Sequence, residues 1–189
     1  MANGKIIVIS APSGCGKSTI INSILDAGTI DLSFSVSATN RPPRAGEEHG
    51  VHYYFMSTED FRDAVAAGDF IEWEEVYPGR YYGTLRSELD RLVGEGHNVI
   101  LDIDVKGALN VKKLYGQTAL TIFVEPPSVA ELRHRLETRG TDSPEQLDTR
   151  MSRAEYELGF APEFDTRVVN DNLEDAIAET EGIINGFIA

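Results

Sequence analysis

Cysteine is almost missing: Cys15 stands alone in 189 residues, which excludes an internal disulfide and any multi-cysteine zinc site. No apolar run approaches the roughly 20 residues that a bilayer-spanning helix needs, and Met1-Ala2-Asn3-Gly4-Lys5 shows no signal-peptide pattern. A cytoplasmic location with no membrane partner is therefore expected. Basic side chains are scarce, 17 Lys and Arg against 31 Asp and Glu, for a net charge of −14. That balance argues against nucleic acid as a partner, because binding to the phosphate backbone is carried by an excess of Lys and Arg. It also makes local arginine clusters informative. Repeats and low-complexity tracts are absent. The 41% hydrophobic content suffices for one ordinary core, so residues 1–189 are expected to form a single domain.

What is present begins with residues 11 to 19, Ala11-Pro12-Ser13-Gly14-Cys15-Gly16-Lys17-Ser18-Thr19, between the apolar run 5–10 and a helical pattern. In a strand, loop, helix arrangement the N–H groups of a glycine-rich turn and the helix N-terminus face an anion. Lys17 then reaches the outer phosphates and Ser18 can ligate Mg²⁺. The strict pattern has glycine at position 11; alanine is the smallest replacement, harmful only if that position needs a positive φ. Cys15 lies inside this loop. A helix N-terminus lowers a thiol pKa, so a redox-sensitive thiol is one reading; a small residue tolerated at a variable loop position is the preferred one.

Apolar runs at 5–10, 98–103, 119–125 and 166–170 alternate with helical patterns at 17–27, 84–93, 106–115, 128–138, 144–158 and 173–187. This is the signature of an α/β fold, a parallel sheet covered by helices. Residues 34–83 break the alternation. Short strand candidates at 34–37, 52–55 and 70–73 surround a helix opening near Ser57, as in a small inserted subdomain. Residues 128–158 form two helices joined by Arg139-Gly140-Thr141-Asp142-Ser143-Pro144, a hairpin able to close like a lid.

Arg41-Pro42-Pro43-Arg44 sets two guanidinium forks on a stretch that its prolines keep extended or turned, which suits a phosphate monoester. Tyr53 and Tyr82 can add phenolic donors to the same anion. Arg135 and Arg139 share a helical face and Arg150 follows across the turn. Beside a phosphate loop these are candidates to stabilise charge on a transferring phosphoryl group; with Glu131 and Glu137 nearby, an exposed salt-bridged helix is the blander alternative. The strand 98–104 ends in Asp102 and Asp104, and an aspartate so placed assists Mg²⁺; Asp102 is the candidate metal residue beside Ser18. Glu72, between Ile71 and Trp73, is a carboxylate in an apolar setting and needs a partner.

These segments, with Phe34-Ser35-Val36-Ser37, Phe70-Ile71-Glu72-Trp73, Tyr81-Tyr82-Gly83-Thr84, Leu101-Asp102-Ile103-Asp104 and Val168-Val169-Asn170-Asp171, make the chain resemble the guanylate kinases from residue 5 nearly to its end. The resemblance implies a core of about residues 1–36, 90–127 and 159–189, a GMP-binding subdomain of about 37–89 and a lid of about 128–158. It implies that Arg41, Arg44, Tyr53 and Tyr82 hold the GMP phosphate, and that Ser37, Glu72, Thr84 and Asp104 surround guanine. It further implies that Asn170 lies near the adenine of ATP and that Lys17, Arg44, Arg135, Arg139 and Arg150 are the catalytic cations. Ala38 and Asn40 depart from the family, standing where hydroxyl residues are common.

The implied reaction is ATP + GMP to ADP + GDP with Mg²⁺, dGMP being a further acceptor. A carboxylate at Glu72 matches the N1–H and exocyclic amine of guanine, and a hydroxyl at Ser37 can answer O6. The alternative from another class is a non-catalytic interaction module of the same fold. Lys17, Ser18 and the lid arginines argue against it. A sugar-phosphate kinase is disfavoured by the Ser37 and Glu72 pairing, and a GTPase by the lack of an N-K-x-D motif. His49, His52, His97 and His134 are scattered and are read as structural or surface residues.

Overall fold

Residues Ile6–Ser10 are all buried, as in a strand covered on both faces, and form β1. The chain continues through α1 (Lys17–Ala27), β2 (Ser33–Phe34), β3 (Ala38–Thr39), β4 (Tyr54–Phe55), α2 (Thr58–Ala67), β5 (Phe70–Tyr77), β6 (Arg80–Leu85) and α3 (Arg86–Gly94). It then forms β7 (Val99–Asp102), α4 (Val105–Tyr115), β8 (Ala119–Glu125), α5 (Val129–Arg139), α6 (Pro144–Leu158), β9 (Thr166–Val169) and α7 (Leu173–Ile188). The structure, a computed structural model, describes residues 4–139 and 143–189. The expected turn at 140–142 and the side chains of Val76, Tyr77 and Arg139 lie outside the described residues.

A five-stranded sheet has the order β2-β7-β1-β8-β9, and a four-stranded sheet the order β4-β3-β6-β5. β2 with β7 and β8 with β9 run parallel, giving the expected α/β architecture. The chain divides into two compact units, Met1–Ile6 with Ser33–Ile100 and Ile7–Leu32 with Leu101–Ala189. Among the described residues no helix is long and apolar enough to cross a membrane.

The first unit is organised by Phe61, fully buried and stacked on Phe70 at 4.4 Å and on Tyr81 at 5.5 Å between centroids. Burying such a side chain contributes about 1.5–3 kcal/mol. Ser57 starts α2 by accepting the Asp60 N–H at 3.0 Å. Ala38 is buried in the same cluster, where a hydroxyl would need a partner. Asn40 uses its whole carboxamide: Nδ2 donates to Thr58 Oγ1 and to the Gly79 carbonyl, both at 2.8 Å, and Oδ1 accepts the Tyr81 N–H at 2.7 Å. Sequence patterning ends a strand at Trp73 and opens a helix at Thr84. Instead β5 runs on to Tyr77 and pairs antiparallel with β6, Glu72 opposite Thr84 and Phe70 opposite Leu85, so the helix waits until Arg86. The cross-strand partner outweighs the local helical pattern.

In the second unit Gly16, at φ +82°, turns the chain from the loop into α1, which buries Ile20, Ile21 and Ile24 and packs on α7. Asp104 caps α4 by accepting the Gly107 N–H at 2.7 Å. A capping box of Ser143 and Gln146, with Pro144 in the first turn, starts α6 where the pattern places it.

Candidate active site

The loop after β1 carries its chemistry at the first turn of α1. Lys17 Nζ lies 2.5 Å from Asp102 Oδ1 and 3.5 Å from the Ile103 carbonyl, and Ser18 Oγ donates to Asp102 Oδ2 at 3.3 Å. Strand β7 thus delivers a carboxylate to the ammonium and the hydroxyl together. Ser18 and Asp102 are hard oxygen donors side by side, the kind of set Mg²⁺ takes when phosphates and water complete its shell. Cys15 is fully buried, and burial pushes its thiol up to about 12, with Arg135 opposing the shift only in part. A reactive thiolate, the less favoured reading of Cys15, does not fit this environment.

Beside the loop a cleft of about 380 Å³ is lined by Gly14, His134, Arg135 and Thr138. Arg135 is already bonded: Nε donates to Glu131 Oε1 at 2.9 Å and Nη1 to the Asn170 carbonyl at 2.9 Å, with Nη2 3.4 Å from the Asp171 carbonyl. His134, read with the other histidines as a structural or surface residue, is exposed and lines this cleft.

In the first unit, the Arg41–Glu47 turn is built around one bidentate ion pair. Arg41 Nη1 lies 2.6 Å from Glu47 Oε2 and Nη2 2.7 Å from Oε1, while Glu47 Oε2 also accepts the Arg44 N–H at 2.7 Å. The Arg41 bonds, with that N–H second, hold the Glu47 carboxyl at about 2, well below the usual carboxylate range. The Arg41 guanidinium is correspondingly shifted up, by Glu47 first and Tyr82 to a lesser degree. It is buried, lies 5.0 Å from the Tyr53 ring centroid, and its Nε has no partner among the described residues. Tyr53 and Tyr82 meet edge to face at 5.9 Å. Arg44 stands exposed on the same turn.

On the β5–β6 ladder Thr84 Oγ1 donates to Glu72 Oε1 at 2.7 Å, the partner that this carboxylate required. The strands close tightly here: a Cβ at Gly83 would lie 2.7 Å from the Glu72 carbonyl oxygen, so only glycine fits opposite Trp73. Ser37 is half-buried just before β3.

A family model described as guanylate kinase matches residues 3–186. The chain belongs to the guanylate kinase family. It is 54% identical over 185 residues to a protein of Bacteroides thetaiotaomicron named guanylate kinase, covering 98% of this chain and 90% of that protein. It is 50% identical over 189 residues to one of Salinibacter ruber with the same name, covering both completely, 100% and 100%. Among solved structures, guanylate kinase from Anaplasma phagocytophilum superposes with a TM-score of 0.73 at 30% identity, covering 100% of this chain and 88% of that one. A shikimate kinase structure at 13% identity and TM-score 0.51 shares the fold alone.

The residues expected of a guanylate kinase divide between the units. Ser37, Arg41, Arg44, Tyr53, Glu72, Tyr82 and Thr84 belong to the first; Ala11 to Thr19, Asp102, Asp104, Arg135, Arg150 and Asn170 belong to the second. Arg139 ends α5, its side chain outside the described residues, and Arg150 lies on α6. Glu47 is a functional residue missed from sequence, its one signal there being an acid six residues after Arg41 and three after Arg44. The Asn170 side chain turns to the loop, donating to the Cys15 carbonyl at 2.8 Å, a contact across 155 positions that no local pattern announces.

Proposed function

We propose that this guanylate kinase transfers the terminal phosphoryl group of ATP to GMP, and to dGMP, giving ADP and GDP or dGDP. The loop 11–19 cradles the ATP phosphates through its N–H groups and Lys17. Ser18 and Asp102 hold Mg²⁺, which when bound neutralises phosphate charge and orients the oxygens it touches. The cleft at Gly14, His134, Arg135 and Thr138 receives the adenine. This assigns Arg135 to the donor base, because its guanidinium is bonded to the Asn170 carbonyl, and leaves Arg139 and Arg150 as the lid's phosphoryl-stabilising cations.

Arg41, Arg44, Tyr53 and Tyr82 take the GMP phosphate. The unpartnered Arg41 Nε supports this, since a buried donor without an acceptor fits an incoming anion. Glu72 takes the guanine N1–H and amine, Thr84 fixes Glu72, and Ser37 and Asp104 complete the base site. Residues of about 37–89 serve as the GMP-binding subdomain, 128–158 as the lid, and the remainder as the core. We place the activity in the cytoplasm, with small-molecule substrates only.

No general base is required. A GMP phosphate oxygen is anionic at neutral pH and attacks directly once two polyanions are brought together, so catalysis consists of charge neutralisation, alignment and exclusion of water. The observation that carries the catalytic reading is the convergence of Lys17 and Ser18 on Asp102. An interaction module has no use for that apparatus. A coupled assay of ADP release across GMP, dGMP, AMP, UMP and CMP tests the proposal. Turnover with the two guanine nucleotides alone is expected; turnover without guanine dependence would overturn it.

A further inference from the structure

Asn170 follows β9 and touches three other segments. Its N–H donates to the Glu125 carbonyl at 2.8 Å, its carbonyl accepts Arg135 Nη1 at 2.9 Å, and its Nδ2 donates to the Cys15 carbonyl at 2.8 Å. The residue is only 5% exposed. The contact with the loop is close: a Cβ at Gly16 would lie 2.4 Å from Nδ2 and would displace the carboxamide, and the φ of +82° at position 16 favours glycine in any case. On the other side, a Cβ at Gly14 would lie 2.9 Å from Leu136 Cδ2 and 3.1 Å from Leu132 Cδ1. The turn from Gly14 to Gly16 is therefore gripped between the leucines of α5 and one carboxamide.

The peptide between Cys15 and Gly16 is trans, as are all described peptides, so its C=O and N–H point in opposite directions within one rigid plane. Drawing the Cys15 carbonyl toward Asn170 aims the Gly16 N–H the other way. We infer that Asn170 is a positioning residue of the phosphate loop: its carboxamide sets the orientation of the Gly16 N–H toward the triphosphate and acts on any triphosphate, whatever its base. This differs from the adenine contact that resemblance implies for Asn170, and it rests on the reading of residues 11–19 as the ATP phosphate site.

Calorimetric binding of ATP, GTP and inorganic tripolyphosphate, each with Mg²⁺, to the wild type, Asn170→Ala and Asn170→Asp separates the two roles. Both variants lose the donor, and the aspartate adds repulsion toward the Cys15 carbonyl. All three ligands are expected to weaken by a common factor of about tenfold or more, with GMP binding unchanged as the control for folding. Weakening of ATP alone, with tripolyphosphate unaffected, would overturn the inference in favour of a base contact. Wild-type affinities throughout would overturn it as well. Should either variant fail to fold, the wild type still decides: the Gly16 amide resonance shifts on adding tripolyphosphate, and an unmoved resonance refutes the inference. A wild type that binds neither ATP nor tripolyphosphate would overturn the phosphate-loop reading itself, a separate result.

Discussion

Arg41 and Glu47 meet fork to fork, with both guanidinium amino groups spent on both carboxylate oxygens at 2.6 and 2.7 Å. The same carboxylate accepts the Arg44 N–H at 2.7 Å, so one acid fixes the guanidinium proposed to take the GMP phosphate and closes the turn that carries the next arginine. Charge-assisted bidentate bonds are the strong class.

Glu47→Gln keeps the shape and removes the charge. It is expected to lower kcat/KM for GMP about tenfold while leaving the KM for ATP unchanged; steady-state kinetics with each substrate varied would show it, and equal losses for both would contradict the role. The pair also sets a pH dependence of stability. The folded carboxyl sits at about 2, below its ordinary value of about 4.3. Its contribution is therefore full above about pH 4.3 and is lost as pH falls through about 2. Urea unfolding between pH 5 and 2.5 should show the wild type losing more stability than Glu47→Gln; parallel curves would refute the linkage.

Glu72 and Lys17 should separate the two substrates. Glu72→Gln places an amide NH2 against guanine's donors and is expected to weaken GMP binding about 10- to 100-fold without changing ATP affinity. Lys17→Ala is expected to lower kcat by about 10²–10³ and leave GMP affinity near wild type. Dissociation constants for both nucleotides on both variants check this. Equal effects of Glu72→Gln on GMP and ATP would show that it does not read the base.

Cys15 should be inert in the folded protein. With its thiol pushed up to about 12 by burial, only about one molecule in 10⁴ carries a thiolate at pH 8. Iodoacetamide at that pH is expected to leave native protein unmodified by mass spectrometry and to alkylate it readily in guanidinium chloride. Rapid alkylation of the native form would contradict the buried environment.

The contrast between Glu47 and Asn170 shows what a sequence discloses. Strands such as Ala119–Glu125 and helices such as Pro144–Leu158 were legible to the residue, because burial on both faces and a capping box are local signals. The passage from strand through loop to helix around residues 11 to 19, and the turn at Arg44, were legible because their signals sit in consecutive residues. The β5–β6 hairpin was not: Thr84 and Leu85 read locally as a helix start, and only pairing with Glu72 and Phe70 makes them strand. Arg135 announced a cation on a helix beside Glu131, and that local pair forms, whereas its two carbonyl acceptors lie 35 and 36 positions away. Interactions across such separations are set by the topology of the sheet, which no window of sequence contains.

Asn40 has a consequence for how this chain can vary. A serine or threonine there would offer one hydroxyl, whereas Asn40 ties α2, the hairpin tip at Gly79 and the Tyr81 backbone with one side chain. A substitution at position 40 therefore loosens three segments at once. The Gly79 carbonyl and the Tyr81 N–H are backbone groups that no substitution at 79 or 81 removes, so when this carboxamide is lost they must turn to water or to another side chain.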